Sequence, residues 1–233
     1  MKLPKPQPEL TQDSPSLLRI FRDRHDAGAQ LAERLRSYAE VRNALVLGLA
    51  RGGVVVAAEV AKALQVALDV IVARKVGAPS SRELAIGAVT ADGGRCFNEV
   101  LIRDLSIPRA YVERVTGREM MAARRQEDEL RTLARPNVTG RTVFLIDDGL
   151  ATGATMVAAA RSVQARYPGR IVVAVPVAAQ RACEDLQSEA DEVICLFTPD
   201  PFPAVGLFYR DFAQVEDDEV KALLRNALNR PSG

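Results

Sequence analysis

The sequence predicts an α/β protein with a central parallel sheet covered by helices on both faces. Short apolar runs recur along the chain, near 44–49, 68–73, 84–90, 142–146, 171–177 and 192–197. Most lack polar–apolar alternation, as strands buried on both faces do. The segments between them carry helical spacing, and strands alternating with helices build parallel sheets. None of these runs approaches the ~20 apolar residues of a membrane span.

In chain order, residues 1–16 are Pro- and Gln-rich with no apolar run. They are expected to form a flexible arm rather than a signal peptide. Leu17, Leu18, Phe21, Leu31 and Leu35 mark an amphipathic helix to Tyr38, with a break expected near Gly28. Strand 44–49 ends in Ala50-Arg51-Gly52-Gly53, and a helix runs from Val54 to Gln65. Strand 68–73 ends at Arg74-Lys75. The weaker strand 84–90 precedes the turn Asp92-Gly93-Gly94. Pro108 opens a long charged helix to about Arg135, since proline suits a first helical turn. Strand 142–146 leads into Asp147-Asp148, and a helix follows over 153–166. Strand 171–177, helix 178–189 and strand 192–197 complete the sheet. Residues 198–212 are rich in proline and aromatics, and 217–229 form a closing helix. This divides the chain into an arm (1–16), an α/β core (17–197), and a C-terminal hood with its closing helix (198–233).

At 233 residues, such a core should bury roughly 70–75% of its unfolded surface and needs no disulfide or metal staple. Lys and Arg number 31 against 30 Asp and Glu, a net charge of +1. That balance disfavours a general nucleic-acid binder. The single histidine, His25, weakens multi-histidine metal sites and a Ser-His-Asp centre. Cys96, Cys183 and Cys195 form no Cys-x-x-Cys. They are expected to be apolar fillers in a reducing, cytoplasmic setting.

In open parallel sheets, ligands sit at the carboxyl ends of strands. Three strand ends stand out. The first is Val143-Phe144-Leu145-Ile146-Asp147-Asp148-Gly149-Leu150-Ala151-Thr152-Gly153-Ala154-Thr155. Its Gly/Thr turn opens a helix, so free backbone N–H groups and the Thr152 and Thr155 hydroxyls can cradle a phosphate. Asp147 and Asp148 suit vicinal ribose hydroxyls or a hydrated Mg²⁺, because carboxylates accept from both. A plain strand-to-helix turn with an Asp cap would not require the whole pattern. Neither Gly-x-x-x-x-Gly-Lys-Ser/Thr nor Gly-x-Gly-x-x-Gly occurs at a strand end.

This segment resembles the phosphoribosyl pyrophosphate (PRPP) motif of the type I phosphoribosyltransferase family. The resemblance covers roughly residues 20–215 in element order. It extends to a group of uncharacterised bacterial phosphoribosyltransferases through Phe21-Arg22-Asp23-Arg24 and Ala204-Val205-Gly206. It implies that Asp147 and Asp148 hold the ribose and Mg²⁺, and that Ala151, Thr152, Gly153, Ala154 and Thr155 bind the 5′-phosphate. The second strand end, Arg51-Gly52-Gly53, resembles the family's pyrophosphate loop, which implies a cis peptide at Ala50–Arg51. Its glycines permit close approach to an anion, and Arg51 adds a charged fork.

At the third strand end, Arg74 and Lys75 are expected to face the same crevice and neutralise the departing pyrophosphate. The adenine-specific members carry a similar Arg-Lys, and the resemblance implies a mobile hood over about 77–95. Ala151 stands where the hypoxanthine-guanine enzymes carry their base-contacting Asp. The adenine type uses a loop Glu whose position matches Ala85. Glu83, two residues earlier on the same side of an extended chain, is a substitute acid/base candidate, or a surface glutamate. Phe202 is the candidate ring for stacking on a base, or a local packing residue. The mixed charges of helix 109–135 read as a solvated face, and His25 beside Asp26 as structural.

These features together imply a transferase that uses PRPP and Mg²⁺ to place ribose 5-phosphate on a nitrogen base. Many relatives are dimers, so the resemblance also implies a homodimer. The alternative is a PRPP-sensing regulator without turnover. A hydrolase lacks its nucleophile–His pair.

Overall fold

A computed structural model describes residues 21–228 except 42, 80, 82 and 132. The arm at 1–16, with Leu17 and Leu18, lies outside the described residues. Five strands form one parallel sheet: β1 (Ala44–Leu49), β2 (Ala67–Ile71), β6 (Thr142–Ile146), β7 (Arg170–Val177) and β8 (Glu192–Phe197), in the order β2-β1-β6-β7-β8. The chain winds outward in one direction from β1 to β2 and in the other from β6 to β8. The winding therefore reverses where β1 and β6 run side by side, with Gly48 opposite Ile146, which is where open parallel sheets take their ligands.

Alternation along each strand builds two cores. Val46, Phe144, Val172 and Ala174 face α2 (Gly52–Leu64) and α7 (Asp217–Leu228). Leu45, Leu47, Val143, Leu145, Val173 and Val175 face α5 (Ala154–Gln164) and α6 (Gln180–Leu186). The parallel sheet with helices on both faces is the expected architecture.

Several local expectations are corrected. Helix α1 (Arg24–Arg34) runs unbroken through Gly28. That glycine is a contact point: a Cβ there would lie 2.9 Å from both Glu59 Cβ and Val56 O of α2. The apolar run 68–73 is two strands, because the chain leaves the parallel sheet at Val72, whose N–H donates to Glu127 Oε1 at 3.0 Å. Beyond it, β3 (Ala73–Gly77), β4 (Ala85–Thr90) and β5 (Arg95–Phe97) form a separate antiparallel sheet. Within the expected hood at 77–95, residues 85–90 are thus a strand packed against α4 (Arg109–Leu130) and α5, and Val76, Ile86 and Val89 form the core of this sheet. Strand β5 and the short helix α3 (Glu99–Asp104) carry no sequence signal strong enough to predict them.

The charges of α4 are not all solvated. Arg109 and Glu113 form an exposed pair, as expected, but Glu127 is buried. It binds Arg131 at 2.9 Å and Arg135, while Arg131 also reaches Asp69 at 2.9 Å and Val70 O at 2.7 Å. This network ends the helix at Leu130, short of the expected 135. The cysteine expectation is also corrected. Cys183 of α6 and Cys195 of β8 are disulfide-bonded, and only Cys96 is a free, partly buried filler.

The tail after β8 folds back across the sheet end. Phe21 N–H donates to Phe208 O at 3.0 Å, and Arg210 N–H donates to Phe21 O at 2.9 Å. Phe21, Phe208 and Tyr209 are buried together with Val177.

Candidate active site

The paired register of β1 and β6 delivers two loops side by side. The Ala50–Arg51 peptide is cis, as the sequence led us to expect. Gly52 and Gly53 then let the loop press against the acid pair. A Cβ on Gly52 would stand 2.0 Å from Asp148 Oδ2, and one on Gly53 would stand 2.8 Å from Asp147 Oδ1. No side chain larger than hydrogen fits at either place without moving backbone or carboxylate.

Asp147 and Asp148 lie just beyond β6. Asp148 N–H donates to Asp147 Oδ1 at 2.9 Å, and Asp148 Oδ2 accepts from Arg24 Nε at 2.7 Å. The Tyr209 hydroxyl donates to Asp148 O at 2.5 Å. These bonds engage Asp147 Oδ1 and Asp148 Oδ2. Burial, and then the charge of Asp148, push the Asp147 carboxyl well above the usual carboxylate range. Burial also raises Asp148, against the lowering pull of Arg24. Burial raises the Tyr209 hydroxyl, which stays a donor.

Leu150 N–H donates to Val177 O at 2.9 Å and Ala179 N–H donates to Leu150 O at 2.8 Å, which fixes the base of the following turn. Gly153 adopts a left-handed φ of 73° at the N-cap of α5. Ala151 and Thr152 are exposed, and Ala154 and Thr155 open the helix. The Thr152 and Thr155 hydroxyls bond nothing among the described residues. The first-turn N–H groups of α5 have no partner within the helix, so the turn offers donors of the kind that suit an anion. Val205 packs on Gly149, just ahead of this turn: a Cβ on Gly149 would stand 2.5 Å from Val205 Cγ1.

Arg51 lies at the α2 N-terminus, with Nη1 3.6 Å from Glu216 Oε2 and 3.7 Å from Asp217 Oδ1. The sequence pattern missed this acidic pair, because nothing local links residue 51 to the start of α7.

The third strand end behaves differently. Successive strand residues point to opposite faces, so Arg74 and Lys75 do not share a crevice. Arg74 turns to α4, where Nε binds Glu119 Oε2 at 2.9 Å and Nη1 binds Gln126 Oε1 at 3.2 Å. Lys75 is exposed and has no ion pair among the described residues. The two cations are thus placed differently, Arg74 paired on α4 and Lys75 without an ion pair among the described residues. Glu83 is exposed in the turn between β3 and β4 and has no partner among the described residues. Phe202 is half-buried and lies 5.0 Å from Phe208, ring centre to ring centre. His25 Nδ1 lies 2.9 Å from Glu59 Oε1, away from the acid pair, in keeping with a structural role.

A family profile described as the phosphoribosyl transferase domain matches residues 19–202, which include both strand-end loops and the acid pair. The chain belongs to this family. Two Mycobacterium tuberculosis proteins, Rv0571c (strain H37Rv) and MT0597 (strain CDC 1551 / Oshkosh), are provisionally named phosphoribosyl transferases. Each is 43% identical over 211 residues, or 90% of this chain and 47% of the relative. The chain thus spans about half the length of these curated relatives. Among solved structures, TT1426 from Thermus thermophilus is 45% identical, with a TM-score of 0.74 over 88% of this chain and 98% of that one.

The acid pair has the donor chemistry for a hydrated Mg²⁺. However, no group of three or more acidic, His or Cys side chains that could hold a metal occurs among the described residues. A cation here would complete its shell with water and substrate oxygens, as magnesium commonly does.

Proposed function

We propose that this protein is a phosphoribosyltransferase: a nitrogen base displaces pyrophosphate from C1 of PRPP, with Mg²⁺ bound to the substrate. The observation that carries this reading is the contact of the two loops, with Gly52 against Asp148 and Gly53 against Asp147. That contact brings the loops after β1 and β6 side by side, which supports reading them as the pyrophosphate loop and the ribose-phosphate loop of one site. Family membership supports the same chemistry.

In this reading, Asp147 and Asp148 accept from the ribose hydroxyls and orient C1. The turn Ala151-Thr152-Gly153-Ala154-Thr155 holds the 5′-phosphate. Arg51, Gly52 and Gly53 receive the pyrophosphate, and Lys75 adds charge as it leaves. The base nitrogen forms the new bond to C1 as the C1–O bond breaks, and pyrophosphate departs with the electron pair. The proton from the base passes to an acceptor such as Glu83, and Phe202 stacks on the base. Mg²⁺ at Asp147 and Asp148 would screen charge on the pyrophosphate oxygens. Catalysis then consists of positioning and charge stabilisation.

A panel of nucleobases with PRPP and Mg²⁺, followed by pyrophosphate release, tests this. Release with one or more bases is expected, and Asp147→Asn should slow it about 100-fold. A Glu83→Gln variant with full turnover removes that residue from the proton step. PRPP binding with a silent panel would instead assign a PRPP-sensing regulator. The cytoplasmic setting and the homodimer remain parts of this proposal. Among the described residues, no helix is long and apolar enough to cross a membrane.

A further inference from the structure

The segment Phe21-Arg22-Asp23-Arg24 is not used by the reaction as described, yet each of its residues has a defined place. Phe21 is in the core, exposed Arg22 pairs with Asp26, and Asp23 caps α1 by accepting from Asp26 N–H at 2.8 Å. Arg24 is the first residue of α1, where the helix dipole disfavours a cation. Its side chain nevertheless lies 11% exposed across the site, with Nε on Asp148 Oδ2. Its Nη1 donates to Ala213 O at 2.7 Å, and its guanidinium carbon lies 3.8 Å from the centre of the Phe212 ring. A Cβ on Gly52 would come within 2.7 Å of Arg24 Nε, so the guanidinium also abuts the anion-binding loop.

We propose that Arg24 is a positioning residue of the phosphoribosyl site. It holds one oxygen of Asp148, leaves the other for the ribose, and joins the acid pair to the tail through Phe212 and Ala213. This deepens the transferase reading and rests on it. The physical need is plain. PRPP carries several negative charges and must approach two adjacent carboxylates, and a fixed guanidinium offsets one of them. The planar fork also sets the carboxylate's rotation, which a point charge on a flexible stem does less well.

The test is calorimetric titration of PRPP with Mg²⁺ into the full chain and four variants: R24M, R24K, D148N and R24M/D148N. Thermal unfolding of each is measured alongside. R24M is expected to weaken PRPP binding about tenfold or more. R24K should recover part of that loss. Because Arg24 acts through Asp148, R24M should add little further weakening to D148N. Effects that multiply in the double variant, or R24M binding PRPP like the wild type, overturn the inference. If D148N abolishes binding, the lysine decides, and R24K no better than R24M overturns it. R24M alone leaves a buried carboxylate unpaired and risks unfolding. R24K and the double variant avoid that and keep the comparison measurable. A wild type that does not bind PRPP overturns the transferase reading itself, and this inference with it. Wild-type binding with indifferent Arg24 variants overturns only the inference.

Discussion

The loops at the ends of β1 and β6 and the antiparallel hairpin of β3 and β4 both offer charged residues to the same chemistry, but they hold them in opposite ways. In the first region, neighbours are pressed together until only glycine fits between them, and Asp148 is gripped by Arg24. In the second, strand alternation separates Arg74 from Lys75, and Glu83 stands in solvent. The first region has its geometry built by packing. The second supplies charge that must be brought to bear when a ligand arrives.

The largest expected effect breaks the packed region. Gly52→Ala should lower pyrophosphate release about 100-fold, since its methyl group would displace the Asp148 carboxylate by an ångström or more. Circular dichroism with PRPP titration would separate a displaced site from a lost fold. A next test sharpens the contrast within the hairpin. Lys75→Met should weaken PRPP or pyrophosphate binding about tenfold. Arg74→Met should leave binding near wild type and cost about 0.5–1 kcal/mol of stability through its partly exposed pair with Glu119. Equal binding losses would restore the shared crevice.

The smallest effect lies in the pH dependence of stability. The Asp147 carboxyl is raised by burial and by Asp148, so it favours folding when protonated. That contribution is present below about pH 4 and lost as pH rises through the folded-state value. Asp147→Asn should therefore raise Tm at pH 7 by about 2–4 °C per kcal/mol gained, and the gain should vanish in acid. Glu119 behaves oppositely. Burial pushes it up, but hydrogen bonds from Arg74 and Arg118 outweigh this and lower it. Its contribution is present above about pH 4 and lost as pH falls through the lowered value. Glu119→Gln should thus be less stable at pH 7, with a deficit that shrinks in acid. Parallel slopes in thermal melts of the two variants would contradict this division.

The legibility of the sequence follows the same division. Strands 44–49, 142–146 and 192–197 are readable to the residue: the first two because burial on both faces leaves a nearly unbroken apolar run, the edge strand because its apolar residues stand between charged and proline-rich flanks. The acid pair and the glycine-rich turns were readable because they are local patterns. The break at Val72 was not, since it depends on Glu127 from a helix 55 residues away. Arg24 on Asp148, Glu216 beside Arg51, and the Cys183–Cys195 bond are likewise long-range, and no spacing rule announces them. The different placement of Arg74 and Lys75 has a simpler reason: adjacency in sequence is opposition on a strand.

The pairing of Phe21 with Phe208, Tyr209 and Arg210 bears on where this unit can be cut. A fragment trimmed to the parallel sheet, 44–197, would keep every strand and every loop ligand. It would also lose Arg24, the Tyr209 hydroxyl and the Val205 contact with Gly149. The cut would strip Leu31, Leu35, Val220 and Leu224 from the core that covers one face of the sheet, so the unit needs both flanks to pack as well as to work. Its two distant ends must be supplied together, whatever sequence is attached outside them.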